Sequence, residues 1–156
     1  MKKRILSLAL SAAMALTMLP TGAFAAGDKG KPPVYNKATG CYEISTPDQL
    51  LYLSGSWKDG TPRDGHYVLT ADIDMTGVKG FKPIASKKEQ GFIGTFDGQF
   101  HAIKGLRVEY EKKYAGLFGY VGNQDDQAYI KDVALLDCYV TGQQNVGALA
   151  GVRSEE

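Results

Sequence analysis

The chain has 156 residues, enough for one domain and too few for two full-sized ones. Its 18 Lys and Arg nearly balance 17 Asp and Glu, and removing the three basic residues at the extreme N-terminus leaves a net charge of −2. That balance has no general attraction for phosphate backbones and argues against nucleic-acid binding.

In chain order, Lys2, Lys3 and Arg4 precede an apolar run from Ile5 to Leu19, and Ala23-Phe24-Ala25 follows as a small-x-small cleavage site. These are the three parts of a secretory signal peptide, predicted over residues 1–25. A retained anchor is the competing reading, but the run falls short of the ~18–20 residues of a spanning helix. The mature product is therefore expected to be secreted or cell-surface associated, outside the membrane. Residues 26–40, polar and rich in Gly and Pro, read as a flexible leader, with order expected from Tyr35 or Cys41.

Cys41-Tyr42-Glu43-Ile44-Ser45 alternates as a strand does. Thr46-Pro47-Asp48-Gln49 then carries a helix start: Thr at N-cap, Pro at the first position, an acid near the positive dipole end and Gln completing a capping box. Leu50, Leu51 and Leu53 give this helix one apolar face, and Gly55 with Asp59-Gly60 ends it. So short a helix must lie on something apolar.

No helix is predicted after Gly65. Tyr67 to Met75 has period two, with Tyr67, Leu69, Ala71, Ile73 and Met75 on one face and Val68, Thr70, Asp72 and Asp74 on the other. Short strand-like pieces punctuated by glycine follow to Val152, so the chain is predicted to be all-β after its opening helix. Two blocks repeat in order: Ile103–Val108 matches Ile130–Leu135 at an offset of 27, and Ala115–Gly119 matches Val146–Ala150 at 31. Such repetition points to a right-handed parallel β-helix, a solenoid of a few coils, with the short N-terminal helix capping its open end. Capping matters because an exposed rung offers unpaired backbone groups to any passing strand.

The run Tyr67–Met75, then Phe81-Lys-Pro-Ile84, Gly94-Thr-Phe-Asp-Gly98, His101-x-Ile103-x-Gly105-Leu106 and Ala115-Gly-Leu-Phe-Gly119 resembles the GLUG-motif β-helical segments of large secreted or wall-attached bacterial proteins. Some such segments sit beside immunoglobulin A1-specific metallopeptidases, others in adhesin-like surface proteins. The resemblance spans residues 41–152, leaving 153–156 as a tail. Proteins of that kind usually continue, so the chain reads as a minimal version or a truncated one.

Chemistry-bearing residues are few. Asp72 and Asp74 are predicted on one side of a strand, roughly 6.5–7 Å apart, a spacing that suits Ca²⁺ or the acid/base pair of a carbohydrate-active enzyme. Their alternative is decoration of a solvent face, which the resemblance favours. Asp125 and Asp126 form an acidic loop tip that lacks the glycine and terminal glutamate of an EF-hand. No His-Glu-x-x-His, Gly-x-Ser-x-Gly or P-loop is present, and Gly116, Gly119 and Gly122 have the wrong spacing for a dinucleotide loop. No catalytic residue, resident metal or cofactor is assigned, Ca²⁺ at the acidic positions being the exception left open. Cys41 and Cys138 admit one disulfide or two buried thiols. Sixteen aromatics carry the best binding hypothesis, and Tyr110, Tyr114, Tyr129 and Tyr139 are the candidates for stacking on sugars or on a host or cell-surface protein, the competing reading being that they stack inside the solenoid or shield its corners. The sequence is thus read as a non-catalytic secreted module for adhesion, binding or spacing. A polysaccharide hydrolase or lyase using Asp72 and Asp74, and an inactive fragment of a larger surface protein, are the alternatives.

Overall fold

The computed structural model describes residues 30–55, 57, 61–123 and 126–153. The signal peptide at 1–25, Asp125 and residues 154–156 of the tail lie outside the described residues. The chain is largely β, and a single α-helix occurs among the described residues.

Strands β1 (Val34–Asn36) and β2 (Cys41–Ile44) form an antiparallel hairpin, so the first strand falls inside the segment expected as leader. Helix α1 (Pro47–Leu53) begins as its sequence dictates. Thr46 Oγ1 accepts from the Gln49 N–H at 3.4 Å, and Gln49 Oε1 accepts from the Thr46 N–H at 3.2 Å. The helix buries Leu50, Leu51 and Leu53 in the core. It occupies the place in chain order where later parts of the chain form strands.

After α1 every strand pairing is parallel. The strands are β3 (His66–Leu69), β4 (Ile73–Asp74), β5 (Thr95–Asp97), β6 (Ala102–Lys104), β7 (Arg107–Ala115) and β8 (Phe118–Val121), then β9 (Tyr129–Lys131), β10 (Ala134–Leu136), β11 (Tyr139–Val146) and β12 (Ala150–Arg153). They make a five-stranded sheet β1-β2-β3-β5-β9, a three-stranded sheet β10-β6-β4, and the pairs β11-β7 and β12-β8. The chain thus visits four sheets in one order as β5-β6-β7-β8 and visits them again, in the same order, as β9-β10-β11-β12.

Register places like on like. Tyr42, Tyr67, Phe96 and Ile130 are successive ladder partners, as are Ile73, Ile103 and Leu135, while Val108 stands beside Val140. Rings reinforce the columns: Tyr42 stacks on Tyr67 at 5.1 Å, and Phe92 lies 5.0 Å from Phe118. Tyr67, Phe96, Ile103, Val108 and Phe118 are fully buried.

Two expectations need correction. The period-two run Tyr67–Met75 is two strands, broken by a corner at Thr70–Asp72, where the Thr70 N–H donates to Ile44 O at 2.9 Å. The corner preserves parity, so Tyr67, Leu69, Ile73 and Met75 are all buried as expected, and only Ala71 is less so. The match of Ile103–Val108 with Ile130–Leu135 is not a stacking register: Ile103 pairs with Leu135, and Ile130 with Phe96. The two segments are different corners, from β6 to β7 and from β9 to β10, that look alike. The second repeated block fares better, because Ala115 does pair with Val146. Of the two readings open for Cys41 and Cys138, the structure has free thiols, both partly exposed. Three ladder steps, from β2 through β3 and β5 to β9, separate the layer of Cys41 from the part of the chain carrying Cys138. At ~4.8 Å each they put the pair well beyond the ~7 Å that a disulfide allows.

Candidate functional site

The expected acidic residues are engaged in holding corners. Asp72 Oδ1 accepts from the Ala102 N–H at 2.9 Å and lies 3.0 Å from His101 Nδ1, tying the β3–β4 corner to the start of β6. The Ala102 hydrogen bond, followed by the His101 contact, holds the Asp72 carboxyl below the usual aspartate range. Asp74 accepts from the Thr76 N–H two residues on, and this local turn lowers its pKa as well. Asp126 closes a turn with Asn123: its N–H donates to Asn123 Oδ1 at 2.6 Å, and Asn123 Nδ2 donates to Asp126 Oδ2 at 3.0 Å. Among the described residues no group of three His, Cys, Asp or Glu comes together.

The Asp72 corner has a pH consequence. A carboxyl whose folded pKa is depressed contributes stability that is fully present above its unfolded pKa of about 4 and is lost as pH falls through the folded value. Melting temperature should therefore fall as the solution is acidified through the carboxylate range. Asp72→Asn should lower it near neutral pH and match wild type in strong acid; a constant difference at every pH would show that the carboxylate charge is irrelevant.

The four tyrosines singled out by their repeat-end positions do not share a face. Tyr110 and Tyr114 are on β7 and Tyr139 on β11, in one sheet, whereas Tyr129 belongs to the five-stranded sheet. Tyr114 packs edge-on against Tyr120 at 5.5 Å, and the Arg107 guanidinium lies 4.5 Å over the Tyr139 ring. Tyr110 alone of the four lines the groove described next.

That groove encloses about 1230 Å³. It is lined by Ser54, Gly55 and Trp57, by Lys82, Ser86 and Lys87, and by residues of β7 and β11. Trp57 is fixed there by an Nε1–H hydrogen bond to Gln90 O at 2.8 Å and by stacking on Phe92 at 6.0 Å. Gly55, bridged to Ile84, brings the Trp57 segment alongside, and the Lys82 N–H donates to Ser54 Oγ at 2.8 Å. Glu109, another lining residue, is held by Arg107 Nη2 at 2.6 Å. Lys82, Lys87 and Lys112 add positive charge, and Ser54, Ser86, Thr141 and Gln143 add hydroxyl and amide groups. Two aromatics among polar lining groups suit a sugar, whose faces are apolar and whose rim is hydroxylated. Sequence reading missed Trp57 and the lysines because four segments far apart in the chain build the groove. The position of the lone Trp just past the helix stop was the available signal.

No family model matches the chain, and no solved structure matches it. Over 120 residues, 70% of its length, the chain is 33% identical to halomucin of Haloquadratum walsbyi, and the chain spans about 1% of the length of that curated relative.

Proposed function

We propose that the chain is a non-catalytic module of a secreted or cell-surface protein, wound as a right-handed parallel β-helix, that binds glycan along its lateral groove. The parallel ladders, visited in one repeated sheet order, support the winding. The similarity to halomucin and the resemblance to GLUG-motif segments support the surface or secreted setting. The observation that carries the binding reading is the groove itself, with Trp57 and Tyr110 both among its lining residues.

Glycan-array screening of the purified protein tests it. Tyr110→Ala and Trp57→Ala are expected to weaken binding to whichever glycans are retained by about tenfold each, the worth of one stacking contact. Tyr129→Ala, on another sheet, should leave binding unchanged. A blank array would leave spacing as the role. New reducing ends released from a polysaccharide by the pure protein would overturn the non-catalytic reading.

A further inference from the structure

The lining of the groove is not evenly charged. Glu109 is neutralised by Arg107, which leaves Glu111 set against Lys82, Lys87 and Lys112. All three lysines are exposed, and none enters an ion pair among the described residues. The chain beyond its basic N-terminus carries a net charge of −2, so this surplus of cations is local and opposite in sign to the whole. A lysine without an anionic partner keeps its attraction for a charged ligand, and a cleft lined by one sign of charge concentrates it where the ligand lies.

A break in the β7–β11 ladder stands at the same place. Gly142 pairs with Tyr110, but Gln144 pairs with Lys113, so Glu111 and Lys112 together oppose Gln143. Such a β-bulge bends its strand and re-aims side chains, and bulges are common beside functional sites. Here Glu109, Tyr110, Glu111 and Lys112 follow one another in β7 and all line the groove, whereas a regular strand turns alternate residues to opposite faces. An aromatic and a cation thus stand two residues apart at the bulge, and Trp57 has Lys82 and Lys87 among its fellow lining residues.

We infer that the groove takes an acidic glycan, one bearing carboxylate or sulfate groups, with Trp57 and Tyr110 meeting sugar faces and Lys82, Lys87 and Lys112 meeting the anions. This rests on the glycan-binding reading of the groove and adds the class of sugar. The lysines supply selectivity against neutral sugars, because an acidic group gains an attraction that a hydroxyl in its place does not. Glu111, as a carboxylate an acceptor only, suits a sugar hydroxyl. Since the lysines are exposed, the attraction is screened and binding weakens as salt rises.

Matched glycans printed side by side, each neutral structure beside its sulfated and its uronate-bearing form, test this at low and at high salt. The acidic forms are expected to be retained about tenfold or more strongly than their neutral parents, with the margin narrowing in salt. Whichever acidic form leads names carboxylate or sulfate as the group recognised. Lys87→Gln and Lys112→Gln should each weaken binding of acidic glycans about fivefold, the worth of one contact charge pair in water, and leave neutral ones unchanged. Lys37→Gln, in the β1–β2 turn outside the groove, should change neither. Neutral forms held as strongly as acidic ones, and released by Trp57→Ala, would overturn the acidic preference while the glycan reading stands. Equal losses from Lys37→Gln and Lys87→Gln would also overturn it, by showing attraction to the whole surface and not to the groove. A blank screen would remove the glycan reading and this inference with it.

Discussion

Phe118→Ala is expected to destabilise the protein by about 3–5 kcal/mol, a large part of the ~5–15 kcal/mol typical of a domain. Phe118 lies on β8 at 1% exposure, with the Phe92 ring 5.0 Å away and the Phe96 ring edge-on at 5.3 Å. Its backbone bridges Ile84 on one side and pairs with Ala150 on the other. Truncation therefore opens a cavity in the shared core, and neighbours already locked in ladders have little freedom to collapse into it. Urea unfolding should show a lower midpoint with an unchanged slope. The companion variant Phe100→Ala removes the same ring from a corner position that is 87% exposed, and it should stay within about 0.5 kcal/mol of wild type. Equal losses in the two variants would mean that the core is not where the ladder register places it.

Phe100 and Phe118 also mark the limit of what could be read from residue order. Local chemistry was legible: the capping box at Thr46–Gln49 and the inward parity of Tyr67, Leu69, Ile73 and Met75 depend on near neighbours alone. So was the pairing of Ala115 with Val146, where small and apolar residues recur at one corner. The stacking register elsewhere was not, because corners are set by backbone shape, and different residues adopt it. Gly105 and Asp137, which close the turns from β6 to β7 and from β10 to β11, both have positive φ, at 66° and 51°. Tyr114 and Asn145, just before the paired Ala115 and Val146, repeat this at 68° and 55°. A glycine replaced by an aspartate, or a tyrosine by an asparagine, hides one recurring turn from residue matching. Meanwhile Gly105 and Asp132, at the β6–β7 and β9–β10 corners, supply a spurious match. The groove was illegible for a different reason, since Trp57, Lys87 and Tyr110, far apart in sequence, meet only in the folded chain.

Gly94→Ala should be the most damaging of the single-methyl additions considered, with an expected loss of about 3 kcal/mol or more. The reason is not conformational freedom. A Cβ at Gly94 would run into the Gly65 carbonyl oxygen, with the Asp64 carbonyl carbon at 2.8 Å and the Gly65 nitrogen at 2.9 Å behind it. All three are backbone atoms held in the ladder: the Thr95 N–H donates to Gly65 O at 3.1 Å, and the Tyr129 N–H donates to Gly94 O at 3.0 Å. Relief would require the chain before β3 to move away from the chain before β5, breaking the hydrogen bonds that set the spacing of the five-stranded sheet. Gly40→Ala is the control. Its φ of +71° strains any L-residue, but nothing lies within 4 Å of the added methyl, so its cost should be near the ~1–2 kcal/mol of left-handed backbone alone. Chemical denaturation of both variants separates the two mechanisms. If Gly94→Ala cost no more than Gly40→Ala, close backbone approach would not be what that glycine provides, and the strands would be packed more loosely here than the Gly65 contact requires.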